Sequence, residues 1–256
     1  MHKGLIKYDW DIPREIIQTN FLQQEILSTY EVIISRFKSL DEEFKFSAQF
    51  DETYIYDQLE NLFEKKIDQF SFMPFGIKDI FNSKVLPTEM GSPIWKNFNA
   101  GNNARLVDEI NFRGGVSFCK TTTAEFAVHY FEESSTKNPY NAEHITGTSS
   151  SGSAVAVATG ALPICTATQT AASIIRPSSF CGVYGFKPSF GALDRTGVLK
   201  TNDTLDTLGF IAKDLNLITK AFLNLHQQSS DYPMAKLYKS KFIESKENKY
   251  LSLIHI

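Results

Sequence analysis

Two hydroxyl-rich stretches and one lysine are the residues of this chain best suited to chemistry. The first stretch is Gly147-Thr-Ser-Ser-Ser-Gly-Ser153, which runs into small residues from Ala154 to Ala161. The second is Thr168-Gln-Thr-Ala-Ala-Ser173. Small residues let a backbone approach a ligand or another backbone closely. Serines set that densely beside an apolar run point to nucleophilic hydroxyl chemistry rather than to a linker. A serine nucleophile needs a base. Phe75-Gly-Ile-Lys78-Asp-Ile-Phe81 offers a lysine in an apolar setting.

Lysine serves as a base only when neutral, and desolvation lowers its pKa from about 10.4 toward about 7–8. Ile77 and Ile80, with Phe75 and Phe81 close by, supply the apolar surroundings such a shift requires. Strand alternation turns the neighbouring Asp79 to the opposite face, away from the amine. Taken alone, the same residues also fit an ordinary edge-strand or salt-bridged lysine.

Other chemistries fit less well. Gly147-x4-Gly152-Ser153 lacks the lysine a phosphate-binding loop carries between its last glycine and the hydroxyl residue. No serine sits in a G-x-S-x-G elbow. His129 and His144 lie nearer the serine loops than His2, His226 and His255, and each reads as structural or exposed rather than as a base. Cys119, Cys165 and Cys181 form no CxxC and no zinc-ligand spacing, so buried free thiols are expected and no metal is.

The elements that must position these residues follow from periodicity. Apolar residues at helical spacing predict helices over residues 21–38, 54–67, 104–113 and 214–228. Short apolar runs predict strands at 74–81, 116–120, 164–168 and 183–187, and the small residues 153–161 predict a buried helix. Residues 132–152 read as loop, and Ser173 opens a turn that Pro177 punctuates. Helices alternating with strands imply a layered α/β domain.

With 256 residues the chain has room for one large domain or two small ones. Its 26 basic and 29 acidic side chains give a net charge of −3, with no strongly basic half, which argues against nucleic-acid or membrane binding. The first ten residues contain no apolar signal-peptide core, and no apolar run is long enough to span a bilayer, so a cytoplasmic location is expected. The apolar, uncapped end Leu251-Ser-Leu-Ile-His-Ile256 predicts a chain interrupted within a larger fold.

Taken together, Met73-Pro-Phe-Gly-Ile-Lys78-Asp, Cys119-Lys-Thr-Thr-Thr-Ala-Glu-Phe-Ala127 and the two serine stretches resemble successive blocks of the amidase signature family. Phe180-Cys-Gly-Val-Tyr-Gly-Phe-Lys-Pro188 and Leu205-Asp-Thr-Leu-Gly209 continue the match. The likeness covers about residues 20–225, within a single, partial amidase domain spanning 1–256. Such a resemblance implies an α/β/α sandwich with a mixed central sheet, incomplete at its C-terminal end.

It also implies a Ser–Ser–Lys triad. Ser173 would be the nucleophile, Ser149 the bridging serine behind a cis peptide bond, and Lys78 the base. The backbone N–H groups of Thr170, Ala171, Ala172 and Ser173 would form the oxyanion hole, with Ser150 supporting the site and Arg176 structural. The implied activity is hydrolysis of a small-molecule carboxylic amide to acid and ammonia, with no metal or organic cofactor. Alternatives are the glutaminase-type component of an aminoacyl-tRNA amidotransferase, or a non-catalytic fragment acting as an interaction protein. A homo-oligomer is compatible with the sequence.

The chain departs from the family pattern at several positions. Thr148 and Ser151 stand where glycines are usual, Ala171-Ala172 where Gly-Gly is, and Gln169 where Asp is frequent. A positive φ at Ala171 or Ala172 would be strained.

Overall fold

The computed structural model describes residues 20–65, 70–128 and 135–226. The readings for His2, His129, His255 and the chain's last residues lie outside these. Six strands form one open sheet in the order β1-β3-β2-β4-β6-β5. These strands are β1 (Ser47–Phe50), β2 (Pro74–Lys78), β3 (Val116–Thr121), β4 (Ile164–Gln169), β5 (Tyr184–Phe186) and β6 (Thr207–Ala212). β2 runs parallel to both β3 and β4, whereas β1, β5 and β6 pair antiparallel. The sheet is therefore mixed.

Every residue of β2, β3 and β6 is buried, which is why they read as continuous apolar runs rather than as alternating ones. Lys78 consequently lies on a central strand, and the edge-strand alternative does not hold. The strand predicted over 74–81 stops at Lys78, where Ile80 N and Phe81 N both donate to the Lys78 carbonyl and close a tight turn.

Helices cover both faces. On one lie α1 (Asn20–Phe44), α2 (Glu52–Phe63) and α4 (Ser151–Ala158). α1 contributes Ile26, Tyr30, Ile33 and Phe37 to a core with Phe118, Val155 and Cys165. The Asp51 carboxylate caps α2 by accepting Tyr54 N at 3.2 Å. α3 (Arg105–Phe112) and α6 (Leu215–Leu225) cover the other face, where Ile110 and Ile218 join Phe75, Ile77 and Phe210. The result is the expected α/β/α layering.

α4 is apolar all round, with Ala154, Val155, Ala156 and Val157 fully buried, as a helix threaded through a core must be. Its first turn presses on the sheet so closely that a Cβ on Gly152 would lie 2.4 Å from Phe46 O and Thr122 N. Only glycine fits there, and that approach sets the serine loop over the ends of β2 and β3.

Three elements escape the sequence reading: β1, β6 and α5 (Ile175–Phe180). β6 falls within the last resembling block but shows no alternation of its own. Pro177 does not punctuate a turn; it sits in the first turn of α5, where a missing N–H removes no intrahelical bond.

Candidate active site

The β2 pleat sends Phe75 and Ile77 into one core and Gly76 and Lys78 toward the opposite face, under α4. The Lys78 amine is fully buried. Its Nζ lies 2.7 Å from Ser149 Oγ and 2.8 Å from Thr168 Oγ1, and its backbone N–H donates to Thr166 Oγ1 at 2.9 Å. No salt bridge reaches it among the described residues. Burial lowers its pKa from 10.5 to about 7, against a smaller opposing pull from the Asp206 carboxylate. The salt-bridged alternative thus fails as well.

Asp79 occupies the other face. It pairs with Lys120 Nζ at 2.8 Å, both side chains being buried, and Lys120 also donates to Thr88 Oγ1 at 2.8 Å. The neighbouring carboxylate is thereby occupied away from Lys78, as alternation requires.

Ser149 follows a cis Thr148–Ser149 peptide bond. The Thr148 carbonyl accepts from Arg176 Nε at 3.2 Å and Nη2 at 2.8 Å, so Arg176 clamps the serine loop from α5. Ser150 joins the two serine loops: its N–H donates to Ser173 O at 3.3 Å and its Oγ to Thr168 O at 3.4 Å. Ser149 and Ser173 line one cleft together with Thr168, Thr170 and Asp206. Among the described residues no hydrogen bond joins Ser149 Oγ to Ser173 Oγ. The structure therefore unites Lys78 with Ser149 and brings Ser173 to the same cleft without closing the second link.

The loop from Thr170 to Ser173 is held at both ends. Gln169 Oε1 accepts Ile174 N at 3.0 Å and Ile175 N at 3.1 Å, doing with an amide carbonyl what a carboxylate would do there. Thr170 Oγ1 donates to the Asp206 carboxylate, which also accepts Thr201 N at 2.6 Å and Asn202 N at 2.8 Å. Burial disfavours the Asp206 charge, yet these donors hold its pKa below the ordinary carboxylate range.

Within the loop, Thr170, Ala171 and Ala172 are exposed, and none of the N–H groups of residues 170–173 donates a hydrogen bond among the described residues. Ala172 adopts φ 68°, the strained conformation anticipated for an alanine at this site. Ser151, where the family pattern has glycine, is buried with an unpartnered hydroxyl. His144 is exposed and takes no base role in this geometry.

Sequence reasoning missed Thr168 and Asp206 as parts of the site. Both lie inside stretches already singled out, but only the fold brings their side chains to the amine and the loop. No group of His, Cys, Asp and Glu suited to a metal occurs among the described residues. No helix of the described residues is long and apolar enough to cross a membrane.

Comparison with known proteins places this geometry in context. The sequence pattern of the Amidase family matches residues 28–252. A glutamyl-tRNA(Gln) amidotransferase subunit from Halothermothrix orenii is 35% identical over 221 residues, covering 84% of this chain and 45% of that protein. The chain thus spans about half the length of its relatives. Among solved structures, a vestigial protein complex linked to the origins of an s-triazine catabolic enzyme superimposes with a TM-score of 0.74 at 25% identity, over 80% of this chain and 47% of the other. The peptide amidase of Stenotrophomonas maltophilia superimposes with a TM-score of 0.72 at 24% identity, over 81% and 47%.

Proposed function

The chain belongs to the amidase family, and from that premise we propose that it hydrolyses a carboxylic amide to a carboxylate and ammonia through an acyl-enzyme on Ser173. One observation carries this reading: a buried lysine with a pKa near 7, bonded to Ser149, whose cleft is shared by Ser173 and a loop with unused N–H donors.

Near pH 7 about half of the Lys78 amines are neutral. A neutral Nζ accepts the Ser149 proton while still donating to Thr168 Oγ1, which fixes its remaining lone pair on the serine. Ser149 Oγ takes the proton from Ser173 as Ser173 Oγ bonds to the amide carbon. A small rotation about the Ser149 or Ser173 side chain closes this link, and such links commonly tighten only with substrate bound. The carbonyl oxygen gains negative charge as the C–O bond forms. The N–H groups of residues 170–173 are available to receive it, and each such donor is worth about 3 kcal/mol in the transition state. The proton held on Lys78 returns through Ser149 to the leaving nitrogen, the C–N bond breaks, and ammonia departs. Water, deprotonated by the same relay, then cleaves the ester and restores Ser173.

Labelling by a fluorophosphonate tests the assignment. Ser173 is expected to be labelled in the wild-type chain, labelling to vanish in Ser173→Ala and to fall at least about a hundredfold in Lys78→Ala. Equal labelling of wild type and Ser173→Ala would overturn it.

A second reading is favoured by the identity with the Halothermothrix protein. There the amide is glutamine and the ammonia passes to a partner that amidates an aminoacyl-tRNA. Copurification with a tRNA-binding partner and an ATP-dependent amidated product would select this reading over a stand-alone amidase.

A further inference from the structure

The cleft that holds Ser173 is charged asymmetrically. Apart from Lys78, its charged lining residues are Arg195, Lys200 and Asp206. The single carboxylate is already engaged: Asp206 accepts from the Thr170 and Thr201 hydroxyls and from the N–H groups of Thr201 and Asn202. Neither cation forms a salt bridge among the described residues.

The two cations differ in freedom. Arg195 is immobilised, with Nη1 on Asn202 O and Asp206 O, Nη2 on Asp203 O, and its guanidinium 4.8 Å from the Phe190 ring. Three carbonyls satisfy those donors but neutralise no charge, and its Nε–H has no acceptor among the described residues. Lys200 is exposed and makes no hydrogen bond there. One wall of the cleft therefore presents a fixed guanidinium and a free ammonium, while Ile80, Val198 and Leu208 give it apolar surroundings that weaken competition from water.

We propose that the substrate is an amide that also carries a carboxylate, and that Lys200, backed by Arg195, receives this anion while the amide carbon lies at Ser173. The proposal rests on the amidase reading and narrows it to a substrate class. Lys200 is on this account a specificity residue that takes no part in bond making.

The test compares succinamate with butyramide, which share an amide on a short chain and differ by the carboxylate. On the full-length chain at low salt, kcat/KM is expected to favour succinamate by about five- to tenfold, as one partly shielded charge pair can give. Lys200→Gln should bring that ratio close to one and Lys200→Arg should retain it, while salt erodes it in the wild type. Lys200→Glu should reverse the preference toward the cationic amide glycinamide. Because each ratio is normalised to an amide processed by the same variant, a general loss of folding or activity cancels. A wild-type ratio at or below one, or a ratio unchanged in Lys200→Gln, overturns the proposal. If no amide is hydrolysed and Ser173 is not labelled, the amidase reading fails instead. Equilibrium binding of succinamate then still decides the anion site: weakening by five- to tenfold in Lys200→Gln supports it, and equal affinity in wild type and variant sinks it.

Discussion

Replacing Lys78 by methionine should make the protein more stable at pH 6 and leave it inactive. Folding buries the amine completely and lowers its pKa from 10.5 to about 7. Between those values the unfolded chain binds the proton and the folded chain does not, so stability rises with pH through this window. Above 10.5 the amine is neutral in both states and the site imposes no penalty. Below about 7 it is charged in both, and the full penalty of burying the ammonium is present. At about 1.4 kcal/mol per unit, the depression corresponds to about 5 kcal/mol. Methionine matches the length of the aliphatic stem but leaves Ser149 Oγ and Thr168 Oγ1 without their shared partner, at about 1 kcal/mol each. The variant should therefore exceed wild type by about 2–4 kcal/mol at pH 6 and lose that advantage by pH 10.5. Urea unfolding of both proteins from pH 6 to 10.5 measures it, and every other titrating group cancels in the difference. In parallel, wild-type kcat/KM should fall about tenfold per pH unit below the Lys78 midpoint. A stability difference that stays flat across this range would show that Lys78 keeps its proton in the folded state, and the relay would lose its base.

Three further perturbations address the framework of the site. Lys120→Met isolates the buried Asp79 carboxylate and should cost about 3–5 kcal/mol in chemical unfolding, while adding Asp79→Asn should recover most of it. Gly76→Ala places a Cβ 2.4 Å from Cys165 Sγ and 3.0 Å from Leu162 Cδ1, a clash worth about 1–3 kcal/mol that the double variant with Cys165→Ala should relieve. Ala172→Gly removes a side chain from φ 68° and should raise thermal stability by about 0.5–1 kcal/mol once the greater freedom of glycine in the unfolded chain is counted. No gain in that last case would show that the loop is not strained.

Much of the fold was legible because buried strands and amphipathic helices leave distinct marks in sequence. Ile55, Leu59 and Leu62 reveal α2 at once, and the apolar run through Phe75 and Ile77 reveals β2. β1 was not legible, since Ser47-Ala-Gln-Phe50 is only partly buried and carries no alternation. α5 was hidden by Pro177, whose local meaning as a breaker gives way once it lies in a first turn. Lys78, Ser149 and Ser173 stood out by type and company. Thr168 and Asp206 did not, because a threonine on a strand and an aspartate in a loop acquire a role only through partners 90 and 36 residues away.

The placement of charge follows from strand parity. Register pairs Ile77 with Lys120 and Lys78 with Thr121. Lys120 therefore shares the face of Ile77 and Asp79, where the Asp79–Lys120 ion pair forms. Thr121 shares the face of Lys78 and turns toward α4, where its hydroxyl lies 2.7 Å from Ser153 Oγ. Two adjacent residues of opposite charge, Lys78 and Asp79, are thus separated by the sheet itself. Were the register between β2 and β3 shifted by one residue, Lys120 would move to the other face, and Asp79 would be buried without its counterion. The ion pair accordingly guards the register that leaves Lys78 among hydroxyls alone. The low pKa of the amine is in this sense set by the pairing of two central strands, before any residue of the serine loops is considered.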